Sequence, residues 1–269
     1  MGKLPEDFLG RIIFILQKYG PTMLNGAKTT LIIAIVGTII GCLIGFFVGT
    51  IQSIPINKKD NIFKKALLKF VKIILNIYVE VFRGTPMMAQ AMFIFYGSAI
   101  LFNLHMDMWS AAYFIVSINT GAYMAETVRG GILSISEGQT EGAKAIGMTH
   151  FQTMLYVIMP QALRNIMPQI GNNLIINIKD TCVLSSIGVV ELFFVTKTVS
   201  GAYYTVFEAY TITMIMYLTM TVFFSKLLRI FENKLNGPED YSLLTTDTLA
   251  YTSGMLKYPE KEAKEWVKK

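Results

Sequence analysis

A small set of amide and ionisable side chains interrupts an apolar stretch of the sequence near residue 180. The set comprises Asn172, Asn173, Asn177, Lys179 and Asp180. Polar groups inside an apolar span face a protein interior or a wet cavity, where they contact a polar ligand or each other. The pattern therefore predicts side chains that line a path for a polar ligand. Hydrogen bonding between helices is the structural alternative.

A second candidate is a polar loop in the middle of the chain that has the signals of two short helices. Ser136 and Gln139 match the spacing of a helix capping box, and so do Thr149 and Gln152. Gly147 stands where the first helix needs a left-handed residue at its carboxyl end. Two capped helices that project from an apolar chain predict a docking surface for a soluble partner.

Patterns typical of catalysis or metal binding are missing from the sequence. Cys42 and Cys182 lie far apart in apolar surroundings, and only two histidines are present, so no cysteine or histidine metal pattern is available. The stretch 20–29 comes near a phosphate-binding loop, but Ala27 separates its second glycine from its lysine. We therefore expect this chain not to be an enzyme and to bind no cofactor of its own.

The elements that must position these residues are membrane helices. Of the 269 residues, 53% are hydrophobic and 16% are charged, whereas soluble domains carry about 25% charged residues. Residues 31–51 contain no charge, and about 20 such residues cross a hydrocarbon layer of roughly 30 Å. The composition predicts an integral membrane protein. The net charge of +6 indicates lysines at a membrane face, with no nucleic acid as a partner.

We expect an all-α protein with five membrane spans. The spans are placed at about 27–51, 86–104, 108–128, 163–187 and 203–231, within a domain of residues 27–235. An interfacial segment, 1–26, precedes this domain, and a polar cytoplasmic tail, 236–269, follows it. Since lysine and arginine concentrate on the cytoplasmic side of a membrane, this arrangement places the N-terminus outside and the C-terminus in the cytoplasm.

The apolar stretch 66–82 could be a sixth span, but its charges argue against that. Lys69 and Lys72 interrupt it, and a sixth span would place the basic loop at 129–164 outside the cell. Its apolar residues recur at helical spacing on a different face from its lysines. The spacing predicts an amphipathic helix that lies on the inner membrane surface.

Four glycines recur at every fourth position in the first predicted span. They are Gly37, Gly41, Gly45 and Gly49. Repeated small residues at this spacing allow another helix backbone to approach closely. The stripe therefore predicts helix packing, either within this chain or at an interface with another subunit.

The central loop resembles the EAA loop of ABC importer permeases. The matching residues are Glu141-Gly142-Ala143, Gly147 and Ile158-Met159-Pro160, with Gly142 in place of the alanine of the signature. The segments Glu80-Val-Phe-Arg83-Gly84-Thr85-Pro86, Gln161-Ala-Leu-Arg164 and Lys179-Asp180-Thr181 are similar to permeases of the histidine, glutamine and arginine type. The resemblance extends over roughly residues 20–235, with the motifs in the order that this family has.

This resemblance implies a type I importer fold, in which the loop at 134–160 docks onto a separate ATPase subunit. That subunit would bind ATP and Mg. The coupling residues of the loop would be Glu141, Gly142, Ala143, Gly147 and His150. Glu141 also has a structural interpretation, because a carboxylate in the first turn of a helix is stabilised by the helix dipole.

The resemblance also implies a multi-pass protein of the bacterial cell membrane that forms half of an amino-acid translocation pathway. A second permease, identical or paralogous, would form the other half, and an extracellular or periplasmic binding protein would deliver the amino acid. Glu80, Arg83 and Thr85 would lie at the inner end of this pathway, with Glu80 bracing Arg83. For Arg83 a plain interfacial cation is the alternative.

Two other classes of protein fit the apolar spans alone. A secondary transporter predicts inverted repeats and broken helices, which the sequence does not show, and it needs no projecting loop. An intramembrane enzyme or a scaffold is disfavoured by the missing catalytic set. A neighbouring gene for an ATPase with a phosphate-binding loop would distinguish the importer from both.

Overall fold

The computed structural model describes residues 4–56 and 61–236. The first helix, α1, runs from Phe8 to Ser53 and begins at Asp7, whose carboxylate accepts a hydrogen bond from the Gly10 amide (2.8 Å). Pro21 lies within this helix without ending it. The division that we expected between residues 26 and 27 is therefore not marked by a break.

The amino-terminal half of α1 is held by packing against helices from the other end of the chain. Ile15 and Met23 are fully buried in one cluster with Leu192, Val195 and Ala209. These contacts extend the first span as one helix. Most of the expected interfacial segment, 1–26, therefore belongs to the same helix as the first span, and local spacing did not reveal this because the packing partners are later helices.

The remaining described helices follow in short succession. They are α2 (Ile62–Gly84), α3 (Met87–Phe102), α4 (Met108–Leu133), α5 (Glu137–Ala145), α6 (His150–Gln152), α7 (Met159–Asp180), α8 (Leu192–Tyr203) and α9 (Val206–Asn236). A π-helical stretch, Thr153–Ile158, joins α6 to α7, and a 3-10 helix, Thr181–Ile187, follows α7. The predicted tail lies outside the described residues, except for Asn236 at the end of α9.

The amphipathic helix predicted around 66–82 is α2, and one of its faces lies along α4. Val79 is buried between α1 and α4, and the Tyr78 hydroxyl donates a hydrogen bond to the Ile118 carbonyl (2.7 Å). Other apolar residues of α2, such as Phe70, remain exposed. The carboxyl half of α2 is therefore anchored to the bundle.

Lys72 fixes α2 to the end of α1. Its ammonium donates hydrogen bonds to the carbonyls of Gln52 (2.7 Å) and Ile54 (2.6 Å), which have no partner further along the helix. Partial burial at this junction lowers the pKa of Lys72. The lysine thus acts as a cap for the carboxyl end of α1.

The turn between α3 and α4 is closed by capping residues. Asn103 ends α3 in the left-handed conformation (φ 52°), and the Asp107 carboxylate accepts hydrogen bonds from the amides of Trp109 (2.8 Å) and Ser110 (3.1 Å). The Ser110 hydroxyl and these amides lower the pKa of Asp107. This cap therefore contributes stability above the ordinary carboxyl pKa and loses it as the pH falls through the lowered value.

Several of the described helices qualify as membrane spans by length and composition. α1 passes this test, and so does α9 from Val206 to Phe231. The run His150–Ile187 passes together with α8, from which it is bent by 55°. α3 is apolar but shorter, with 16 residues. The arrangement in five spans stays a prediction.

The glycine stripe of α1 lies against α4 of the same chain. Gly37, Gly41, Gly45 and Gly49 face Val116, Thr120, Met124 and Val128 in turn, so the two helices run parallel. A Cβ atom at Gly41 would lie 2.6 Å from the Thr120 Cβ, which is too close for any side chain. The structure thus uses the stripe for packing within the chain, the first of the two alternatives.

Candidate functional site

The two short helices of the central loop are present, but only one of them has the predicted capping box. Thr149 donates its amide to the Gln152 side chain (2.9 Å), and Gln152 donates its amide to the Thr149 hydroxyl (3.3 Å). Ser136 does start α5, but its side chain makes no capping bond. Its expected partner, Gln139, instead accepts a hydrogen bond from the Gln161 amide of α7 (3.4 Å).

The turn between α5 and α6 depends on Gly147. This residue has a φ of 83°, the left-handed conformation that was predicted for it. Its amide donates to the Lys144 carbonyl (3.0 Å), and the Met148 amide donates to the Ala143 carbonyl (3.0 Å). These two bonds form a Schellman motif. They set the angle at which α5 and α6 meet.

The loop presents charged and apolar side chains that are exposed within the described part of the chain. Glu141 and His150 are exposed, whereas Ala143 points inward and is buried. Ile146 and Phe151 are 77% and 72% exposed. Both side chains are therefore available for contact with a partner.

The loop joins α7 through a widened helical turn. Thr153–Ile158 is π-helical and ends two residues before Pro160. This proline lacks an amide hydrogen and crowds the carbonyl of Tyr156, four residues earlier. A π-helical turn relieves that conflict without ending the helix. The chain is therefore helical without a break from α6 at the loop, through the π-helical turn, into α7 of the bundle.

The five polar residues near the end of α7 divide into two groups. Asn177 is buried, and its amide donates to the hydroxyls of Thr38 on α1 (2.7 Å) and Thr120 on α4 (2.9 Å). Asn173 is also buried, and its amide contacts the Met124 sulfur (3.2 Å). The side chains of these two residues contact other helices. They therefore fit the structural alternative, hydrogen bonding between helices, and not the lining of a path.

The other three residues of the set take no part in these contacts. Asn172 and Lys179 are exposed on another face of α7, and Asp180 is half-buried. Within the described residues, their side chains make no hydrogen bond and no ion pair. These three side chains are therefore available to a ligand or to another subunit.

The candidate residues of α2 line a polar recess of about 430 Å³, called here the inner recess. It is lined by Gln52, Lys72, Asn76, Val79, Glu80, Arg83, Glu126 and Arg129. Arg83 lies 3.8 Å from the Glu126 carboxylate of α4, and Arg129 pairs with the same carboxylate. The expected bracing of Arg83 by Glu80 is therefore wrong: α2 directs the guanidinium toward α4.

Thr85 belongs to a hydrogen-bond network at the break between α2 and α3. The Gln90 amide donates to the Thr85 hydroxyl (2.8 Å) and to the Phe82 carbonyl (2.9 Å), and Asn119 of α4 donates to the Gln90 side chain (2.8 Å). Sequence reasoning missed Gln90, Asn119 and Glu126. The available signal was a polar side chain inside an apolar span.

A buried carboxylate that sequence reasoning also missed is Glu191. It is fully buried and accepts hydrogen bonds from the amides of Phe193 (2.8 Å) and Phe194 (2.7 Å) and from the hydroxyls of Tyr217 (3.0 Å) and Thr30 (3.4 Å). It caps α8 and links that helix to α1 and α9. The signal was its position directly before an apolar run.

Comparison with known families identifies the architecture. Residues 65–237, which include α5, α6, α7 and most of the inner recess, match the family described as the binding-protein-dependent transport system inner membrane component. The chain belongs to this family. It is therefore a membrane transport component of an ABC importer and not an enzyme.

Individual relatives agree with this assignment. The glutamine transport system permease protein GlnP of Escherichia coli is 35% identical, with 80% of this chain and 93% of the relative covered. The nopaline transport system permease protein NocM of Agrobacterium fabrum is 32% identical, with 80% and 88% covered.

Solved structures show the same fold. A chain of an amino acid ABC transporter crystallised with histidines is 35% identical and has a TM-score of 0.73, with 85% of this permease and 98% of that chain covered. A chain of the inward-facing methionine transporter MetNI has a TM-score of 0.59 at 20% identity, with 77% and 95% covered, and shares the fold alone.

Proposed function

We propose that this permease forms half of the pathway of an ATP-driven importer for a polar amino acid. The observation that carries the proposal is the exposed helix pair α5 and α6, joined by the Gly147 turn and presented by a fold whose relatives include glutamine and nopaline permeases. A secondary transporter would have no use for such an uncovered surface. The substrate class follows the relatives, which handle amino acids or their derivatives.

The partners follow from the same surface. Separate ATPase subunits that hold ATP and Mg would receive α5 in a groove, with Glu141 opposite a basic residue of that groove. A second permease, identical or paralogous, would complete the pathway, and an extracellular or periplasmic binding protein would deliver the amino acid. The N-terminus would then lie outside and the C-terminus in the cytoplasm of the bacterial cell.

Reconstitution tests the proposal directly. The permease and a partner ATPase subunit would be reconstituted in proteoliposomes, with the binding protein added outside. ATP would be supplied on the side of the membrane where the ATPase lies. We expect uptake of labelled glutamine or another polar amino acid that requires both ATP and the binding protein. Uptake driven by an ion gradient without ATP would contradict the proposal.

Coupling is expected to depend on Gly147 and to tolerate a change at Gly142. Gly147→Ala places a Cβ on a left-handed residue, which strains the turn by roughly 1–2 kcal/mol and changes the angle between α5 and α6. Gly142→Ala adds a Cβ to open space within α5 and stabilises that helix by up to about 1 kcal/mol. The measurement is co-purification with the ATPase: we expect Gly147→Ala to weaken it and Gly142→Ala to retain it.

Asn172, Lys179 and Asp180 of α7 are proposed to line the pathway, and Asp180 supplies its negative charge. Asp180→Asn is expected to reduce amino-acid uptake at least about tenfold, because a charge that meets the substrate directly contributes about 1.5–3 kcal/mol. ATPase binding should be retained, since Asp180 lies at the far end of α7 from the loop. Asn177→Ala is the contrasting variant, and should lower the stability of the fold instead. Normal uptake by Asp180→Asn would exclude this role.

A further inference from the structure

The carboxyl-terminal half of α9 is separated from α7 by a cleft, to which α7 contributes Ile175. Near its start α9 packs on α1 and α8 through Ala209 and Ile212. Only 11% of the apolar window in its span Val206–Phe231 is buried within the described chain. The space left open is about 370 Å³ in volume and is called here the α7–α9 cleft. Its lining residues are Ile175, Thr221, Val222, Ser225, Lys226 and Arg229.

The α7–α9 cleft has one apolar wall and one cationic end. Ile175 and Val222 form the apolar part. Lys226 and Arg229 are three residues apart, so they lie on one side of the helix, and both are exposed. Across the described residues neither has an ion-pair partner, and no carboxylate lines the cleft. The Ser225 hydroxyl, directly before Lys226 in the sequence, adds a neutral donor to the lining.

We infer that the α7–α9 cleft binds an anionic membrane phospholipid. The two cations and the hydroxyl suit a phosphodiester, which offers several acceptor oxygens. The adjoining apolar wall suits an acyl chain of the same molecule. Basic sites between membrane helices bind lipid headgroups by this combination. Cations that only anchored the end of α9 at the membrane surface would need no cleft beside them.

Native mass spectrometry of the full-length permease tests this assignment. The purified protein is mixed with equal amounts of phosphatidylglycerol and phosphatidylcholine, and the bound lipid is counted. We expect the wild type to prefer phosphatidylglycerol. Lys226→Gln and Arg229→Gln should each reduce this preference about fivefold, and the double variant about thirtyfold. The preference of the wild type should also fall as ionic strength rises, which gives a measurement that needs no variant.

The control removes the same charge elsewhere. Lys69 of α2 and Lys197 of α8 are exposed and lie outside the cleft, so the double variant Lys69→Gln, Lys197→Gln should retain the preference within about twofold. Three outcomes would overturn the inference. They are an unchanged preference in the Lys226→Gln, Arg229→Gln variant, displacement of the lipid by inorganic phosphate, and a changed association of permease copies with unchanged lipid binding.

Discussion

Gly45→Ala is expected to destabilise the folded permease by about 3 kcal/mol. The new Cβ would collide with the Met124 Cβ and would lie 2.8 Å from the backbone nitrogen of Ala125. Neither atom can move unless the whole of α4 shifts away from α1, and overpacking of this kind costs about 1–3 kcal/mol or more. The measurement is the unfolding midpoint of the purified permease in mixed micelles with increasing amounts of a denaturing detergent.

Gly97→Ala is the matched control for this prediction. Gly97 is also a mid-helix glycine, in α3, but apart from the adjacent backbone of its own helix no atom of the described residues lies within 4 Å of the position of its Cβ. Alanine should therefore leave stability unchanged or raise it by up to about 1 kcal/mol, through its higher helix propensity. Equal midpoints for the Gly45→Ala and Gly97→Ala variants would show that α1 and α4 do not need the close approach.

The same glycines show what spacing can and cannot predict. Four small residues at every fourth position predict close approach to another helix, because that property belongs to the stripe itself. They do not identify the partner, since α4 and a second subunit could both supply a complementary surface. Val116 and Thr120 of α4 give no distinctive sequence signal. Only the fold brings them against α1.

The capping interactions of the central loop could be predicted from the sequence where both hydrogen-bond partners lie within the loop. Thr149 and Gln152 bond to each other, and Gly147 needs only its own backbone conformation. Ser136 and Gln139 have the same spacing, yet the Gln139 side chain bonds to Gln161 of α7. A tertiary contact therefore displaced a local one, and spacing alone does not reveal such competition.

The sequence predicted the polar residues of the apolar spans as a group. It did not predict which of them contact other helices and which remain exposed. Asn173 and Asn177 lie on one face of α7, whereas Asn172 and Lys179 lie on another. The spacing of these residues predicts that they lie on two different faces of a helix, but it does not indicate which face packs against α1 and α4. Arg83 presented a similar problem. Its nearest carboxylate along the chain was Glu80, while its partner in space is Glu126 on another helix.

Glu191→Ala is expected to lower the free energy of unfolding by about 3–5 kcal/mol. The substitution leaves the amides of Phe193 and Phe194 and the Tyr217 hydroxyl without their acceptor in a buried site. Each unsatisfied buried group costs about 1–3 kcal/mol. α8 would lose its cap and its connection to α9 together. The unfolding midpoint in mixed micelles measures the loss.

Two variants separate the buried connection from ordinary helix capping. Glu191→Gln keeps one acceptor oxygen and should lose about half as much stability as Glu191→Ala. Asp107→Ala removes an N-cap that is exposed, at the start of α4, where water can satisfy the freed amides. Its effect should therefore be much smaller. If Asp107→Ala and Glu191→Ala shifted the midpoint equally, capping alone would account for Glu191, and its bonds to α1 and α9 would contribute nothing to holding the three helices together.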